Sequence, residues 1–219
     1  MGQKYEIFFR RHVFVFAPKE EFEGKADAVR STLSLEETLG LFERLKKLRR
    51  PRTILITKPN AYQEFFGYFK MVEAGGGGVF NTKGRLLLIH RLGNWDLPKG
   101  KLNKRELPEM GAIREVEEEC NVHKLRIIQE LPTTYHIYYQ KKWCLKRTHW
   151  YAMISEKFDE AKPQLEEDID RIKWVKPEKL NVEKLDTYAS IRTVLHELKR
   201  LSANTVDKHL HSESNRELR

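Results

Sequence analysis

Six glutamates fall between residues 100 and 122, in the stretch GKLNKRELPEMGAIREVEEECNV of a chain whose formal net charge is +9. Acid concentrated in a basic protein either faces solvent or serves a cation. At about 100° per residue, a helix would place Glu115, Glu118 and Glu119 in one arc about 100° wide, beside the apolar stripe of Ile113, Val116 and Cys120. Glu117 would point to solvent. Three like charges at the margin of a buried face repel one another and lose hydration, a conflict that a bound cation resolves. The donors are all oxygen, which suits Mg²⁺ or Mn²⁺ rather than zinc or copper. A run such as EVEEE is by itself ordinarily a solvated helix face. The wider spacing decides against that reading.

Gly100, Glu106, Arg114, Glu115, Val116, Glu118, Glu119 and Val122 resemble the signature of the Nudix hydrolases. That pattern is Gly, five residues, Glu, seven residues, then Arg-Glu-apolar-any-Glu-Glu-any-Gly-apolar. Eight of nine specified positions agree, a match expected by chance in roughly one chain in 10⁴ or fewer. The departure is Asn121, where the family has glycine. The position follows the helix and suits a left-handed stop, which Asn tolerates best after Gly. Leu107 stands where a capping Ser or Asp would help, and Pro108 suits the first turn.

The resemblance covers about 71–202 and implies an α/β/α sandwich with a mixed sheet. It also implies that Glu115, Glu118 and Glu119 hold divalent metal, Mg²⁺ or Mn²⁺, together with the carbonyl at or beside Gly100, and that Glu106 and Arg114 brace the loop and helix. The implied reaction is hydrolysis of a phosphoanhydride, with metal polarising the phosphate and activating water. Family members differ in their general base. Among Glu166, Glu167 and Asp168, which could equally be loop solvation, Glu167 is the candidate, and Glu115 is the stronger candidate for a dual role. Arg91, Lys99 and Lys101 are the expected phosphate contacts.

WDLPKGK at 95–101 resembles the entrance to the motif in Nudix enzymes acting on dinucleoside polyphosphates and on diphosphoinositol phosphates. Tyr138 and Tyr139, 16 and 17 residues beyond Val122, fall where the dinucleoside group carries a base-stacking tyrosine. Packing in the core or across strands of an aromatic-rich strand is the favoured reading for either tyrosine taken alone.

The elements that must position these residues follow from patterning. Residues 4–16 read as one or two short strands. Leu35 to Leu48 read as a helix with a capping box of Ser34 and Glu37, TILIT at 53–57 as a buried strand, and Pro59-Asn60 as the opening of a helix through Phe69. These make a small α+β extension over 1–70. GGGG at 75–78 lacks the Lys-Ser/Thr of a P-loop and is expected to allow close backbone approach within a sheet. A hairpin with its turn at Asn81 to Gly84, a helix over about 109–120, strands around 124–139, 148–155 and 171–175, and a closing amphipathic helix complete a Nudix domain over 71–202. A polar tail occupies 203–219.

The length suits one substantial core with an appendage. No apolar run approaches the roughly 20 residues that cross a bilayer, and Arg10, Arg11 and His12 interrupt any signal peptide. Two cysteines make no disulfide framework, so the cytoplasm is expected. The basic pI favours anionic partners: a small-molecule nucleotide or polyphosphate, with nucleic acid less favoured, no membrane, and a homodimer compatible but not written in the chain. KKLRRPR at 46–52 reads first as cations meeting a helix C-terminus. The leading reading is a Mg²⁺-dependent Nudix pyrophosphohydrolase cleaving a nucleoside diphosphate-linked substrate such as a dinucleoside polyphosphate. The alternative is a non-catalytic Nudix-fold module binding nucleotide or RNA, which would have little use for three acids beside an anion. A transcription regulator is disfavoured because too little chain follows Val175 for a winged helix.

Overall fold

The computed structural model describes residues 4–58 and 60–202. The expected tail at 203–219, and Pro59 at the start of the second helix, lie outside the described residues. The chain divides into two compact units, the first formed by residues up to Val72 together with Thr134–Arg147, the second by Glu73–Thr133 and the chain from Thr148 onward.

In the first unit β1 (Tyr5–Phe9) and β2 (His12–Phe16) form an antiparallel hairpin in which Tyr5 faces Phe16 and Phe9 faces His12. Beyond β2 the pairing is parallel, first to β4 (Thr53–Ile56) and then to β3 (Ala28–Arg30). Between β3 and β4 runs α1 (Leu35–Leu45), since parallel neighbours need a crossover. Its start is the expected capping box: the Glu37 N–H donates to Ser34 Oγ, and the Ser34 N–H donates to Glu37 Oε2. A second helix, α2 (Ala61–Gly67), follows β4. Alternation along β2 sends Phe14 and Phe16 to a core shared with Phe42, Leu45 and Phe65 of the helices, and Val15 to a smaller cluster with Leu55 on the other face. The three-residue β3 carries no sequence signal of its own. Part of the basic run is absorbed here. Lys46 pairs with Glu43 and lies over the Trp143 ring, and Arg52 holds Asp27 at 2.6 Å.

The second unit is a sheet between two helices. Its strands are β5 (Lys70–Asn81, from Glu73 onward), β6 (Leu86–Arg91), and β11 (Ile169–Val175), with the short β7 (Asn94–Asp96) on β6 and β8 (Lys99–Lys101) on β5. Two long strands, β9 (His123–Gln140) and β10 (Lys142–Lys157), contribute to both units, because 134–147 belong to the first. They join through Lys141 at φ 60°. The helices are α3 (Pro108–Cys120) and α4 (Ala189–Ser202).

Both faces of this sheet are covered. Along β6, Leu87 and Ile89 pack with Ala112, Val116 and Cys120 of α3, while Leu86 and Leu88 pack with Ile191, Val194, Leu195 and Leu198 of α4. The two packed faces make the expected α/β/α sandwich. The glycine run explains how closely the layers meet. A Cβ on Gly75 would lie 2.7 Å from the Ala112 nitrogen, and one on Gly78 would lie 2.4 Å from the Leu198 methyls. Alternate glycines therefore admit α3 on one face and α4 on the other. No helix among the described residues is long and apolar enough to cross a membrane.

Candidate active site

The site is built where β6 ends, where β7 and β8 turn back over the sheet, and where α3 lies against it. Pro108 occupies the first helical turn after an uncapped Leu107, and Asn121 ends the helix at φ 51°, ψ 40°. The left-handed stop expected of the family glycine is thus supplied by asparagine. Its side chain also donates to the Glu160 carbonyl at 2.8 Å, a contact that glycine could not make.

Arg114 organises the acidic helix. Its Nε and Nη2 each lie 2.8 Å from the two oxygens of Glu106, and Nη2 also donates to the Lys101 carbonyl at 3.2 Å. Glu106 additionally accepts the Asn103 N–H at 2.7 Å. The guanidinium, with that N–H, lowers the Glu106 carboxyl to about 2, because both favour the charged form. Through Nη1 the same Arg114 reaches Glu115 at 2.7 Å and Glu118 at 2.9 Å. It is therefore the brace between loop and helix and the counter-charge for two of the three box acids.

Gly100 has to be glycine for a local reason. A Cβ there would stand 1.7 Å from Glu115 Oε2, so the β8 backbone lies directly against that carboxylate. Burial pushes the Glu115 carboxyl up, Arg114 pulls it down, and the charges of Glu118 and Glu167 push it up again. Glu119 is only 2% exposed and is raised to about 7, chiefly by burial and further by Asp96, against the opposing pull of Lys99 and Arg91. Its oxygens accept the Lys99 backbone N–H at 3.0 Å and face Arg91 Nη1 at 3.4 Å.

Arg91 also joins Glu167 to the group, with Nη2 2.8 Å from Glu167 Oε2. The register makes this possible: Ile169 at the start of β11 sits opposite Arg91 at the end of β6. Leu165–Glu167 form a 3₁₀ turn, and Asp168 at φ 58° redirects the chain into the strand. The fold thus gathers Arg91, Gly100, Glu106, Arg114, Glu115, Glu118, Glu119, Glu167 and the Lys99 backbone. The Lys99 ammonium turns instead to Asp96 at 2.7 Å. The Lys101 side chain is exposed. Tyr138 and Tyr139 fall in the first unit. Burial, then Cys144, raises the Tyr138 phenol, and Tyr139, 64% exposed, meets Trp143 edge-on.

Asp96 escaped the sequence reading. It is 2% exposed, receives the Leu97 N–H at 2.8 Å and holds Lys99. Its one signal was an acid set between the apolar Trp95 and Leu97.

The donor set suits a hard dication by its chemistry. Its oxygens carry excess negative charge in a partly desolvated place, and the carboxyls of Glu115 and Glu119 are both raised. Among the described residues no three such side chains already converge on a single point. The positive charge is instead shared out by Arg114 and Arg91.

A sandwich carrying this loop and helix defines a class, and the sequence agrees with it: the NUDIX domain model matches residues 71–198. The chain belongs to the Nudix family. It is accordingly a hydrolase acting on phosphoanhydride bonds, in a family that generally uses divalent metals such as Mg²⁺. Among solved structures it is similar to a C. elegans Ap4A hydrolase in a binary complex, with 23% identity over 60% of this chain and 98% of that one and a TM-score of 0.48. The MutT protein from Methanosarcina mazei Go1 gives 21% identity over 60% and 95%, with a TM-score of 0.47. The E. coli ORF135 protein gives 16% over 64% and 96%, with a TM-score of 0.49.

Proposed function

We propose that the chain is a Mg²⁺-dependent pyrophosphohydrolase that cleaves a nucleoside diphosphate-linked substrate, with dinucleoside polyphosphates as the first class to assay. The observation that carries this reading is the buried carboxyl of Glu119, raised to about 7 among other acids. A structural carboxylate would be better paired, and a surface one would be hydrated.

Glu115, Glu118 and Glu119, with a backbone carbonyl at Gly100, would hold the ion, Glu115 and Glu118 exchanging Arg114 for it. When bound, the ion supplies Lewis-acid polarisation of a phosphate oxygen and a more acidic water. Mn²⁺ meets the same oxygen-donor requirement. The chain's own residues do the rest. Glu106 and Arg114 hold loop to helix, so that the acids are presented at a fixed distance from β8. Arg91 offers a guanidinium to the anionic substrate while keeping Glu167 in reach. Glu167 and Glu115 are the two candidates to take the proton from the attacking water. The Lys99 N–H fixes one oxygen of Glu119 while its ammonium stays with Asp96, and the exposed Lys101 brings positive charge to the substrate's approach.

Glu118→Gln and Glu119→Gln remove one charge each at constant shape. Both variants should keep their circular dichroism and melting behaviour and lose turnover and Mn²⁺ binding. Full activity in either refutes the metal assignment. Dinucleoside polyphosphates, nucleotide sugars, nucleoside triphosphates and inositol pyrophosphates, assayed with and without Mg²⁺, identify the substrate. If none is cleaved, the binding-module reading takes its place.

A further inference from the structure

Strands β6 and β11 run antiparallel from Arg91 opposite Ile169 to Leu86 opposite Val175. The acidic site lies at the first of these ends. At the other, the chain leaves β11 through Lys176 into a 3₁₀ turn at Pro177–Lys179, and a cleft of about 480 Å³ opens. Arg85, Lys173, Lys176, Lys179 and Lys184 line it, and no carboxylate does. All five of these residues are exposed. Among the described residues none of the five side chains has an ion-pair or hydrogen-bond partner.

Two neighbouring cations are occupied and hold the cleft in shape. Lys199 of α4 donates to the Leu180 carbonyl at 2.6 Å, and Arg192 donates to the carbonyls of Val182 at 2.8 Å and Leu185 at 2.9 Å. The segment bearing Lys179 and Lys184 is thus tied to α4, with Leu180 and Val182 sunk in the core below. Five like charges around one opening repel, and an organised rim keeps them there. Such a rim answers an anion with several charges spaced along it, because a single charge would leave most of the repulsion in place. Val175, Leu180 and Leu185 add an apolar portion to the wall.

We propose that this cleft is a second anion site, separate from the acidic box, which binds a chain of phosphates, either free inorganic polyphosphate or the phosphate tail of a nucleotide. Six residues of extended strand, about 20 Å, separate Arg85 from Arg91. That exceeds the screening length of about 8 Å at physiological salt, so the two sites are electrically distinct. The proposal does not depend on the hydrolytic reading.

The test is calorimetric titration of the full chain with inorganic tripolyphosphate, and separately with ATP, in EDTA so that the box holds no metal–phosphate complex. One equivalent should bind, more weakly as salt rises. Lys173→Glu/Lys179→Glu should weaken binding by about tenfold or more while phosphoanhydride hydrolysis at saturating Mg²⁺ persists. Lys173→Gln/Lys179→Gln should show the same direction more mildly and serves if the reversal fails to fold. Arg49→Glu/Arg50→Glu makes the same charge change on the first unit and should leave affinity within about twofold. Tighter binding of ATP than of tripolyphosphate assigns the apolar wall to a base, and equal binding assigns the site to the phosphate chain alone. The proposal fails if the wild type binds neither compound, if both reversals weaken binding equally, or if Arg91→Gln abolishes binding that Lys173→Glu/Lys179→Glu leaves intact.

Discussion

Arg91 Nη2 lies 2.8 Å from Glu167 Oε2, across 76 residues of sequence. The contact brings an acid from outside the Nudix box onto the guanidinium that also faces Glu119. Glu167 is therefore joined to the group without being part of the helix. If it is the base, Glu167→Gln should lower kcat by about 10²- to 10⁴-fold and leave Mn²⁺ affinity unchanged. Glu115→Gln should lose metal and turnover together. An unaltered kcat in Glu167→Gln returns the base to Glu115.

The Glu106 carboxyl, lowered from 4.5 to about 2 by Arg114 and the Asn103 N–H, sets a pH dependence. A depressed folded value stabilises the protein above the unfolded value near 4.5, and the contribution is lost as pH falls toward 2. Melting curves should show a greater drop between pH 5 and 3 in the wild type than in Glu106→Gln. At pH 7 the substitution should cost about 1–3 kcal/mol, since two charge-assisted bonds weaken at once. Equal acid sensitivity in both proteins would remove the brace from this account.

Gly75 and Gly78 face opposite helices and should fail differently. A methyl on Gly75 meets the backbone of Ala112 and Pro108, which cannot rotate away, whereas one on Gly78 meets only the Leu198 side chain. Both alanine variants should lose stability, by about 1–3 kcal/mol for Gly78→Ala and more for Gly75→Ala. Because α3 carries the acids, Gly75→Ala should also depress kcat in whatever fraction remains folded. Urea unfolding alongside a hydrolysis assay separates the two effects.

Asn121 combines left-handed backbone with a bond to the Glu160 carbonyl. Asn121→Ala loses that bond and keeps the unfavourable conformation, at a cost of about 1–2 kcal/mol. Asn121→Gly loses the bond but relieves the backbone, and should sit close to the wild type. Turnover should hold in both, because the side chain points to the 160 loop and not to the box. A glycine variant less stable than the alanine variant contradicts this balance.

Much of the site was legible because its determinants are local. The arc of Glu115, Glu118 and Glu119 follows from helical periodicity, the capping box at Ser34 from a spacing of three, and the stop at Asn121 from one residue's tolerance of positive φ. The four glycines announced close packing, though not which helix each would admit. The three-residue strands β3, β7 and β8 escaped, since alternation cannot be read over so few residues. Asp96 escaped with β7. Arg114 was expected as a brace, but nothing in the spacing foretold that one of its nitrogens would serve Glu115 and Glu118 together.

The chain alone determined the Nudix box, the identity of its oxygen donors, and the helices and longer strands that carry them, because these depend on residues within one or two turns of each other. Only the tertiary structure decided that Glu119 would be the buried acid, that Arg91 would tie it to Glu167, that 134–147 would join the first unit, and that five cations would ring a cleft at the other end of β6. Desolvation and long-range pairing depend on which distant segments meet, and the periodicity of a single element carries no information about its neighbours.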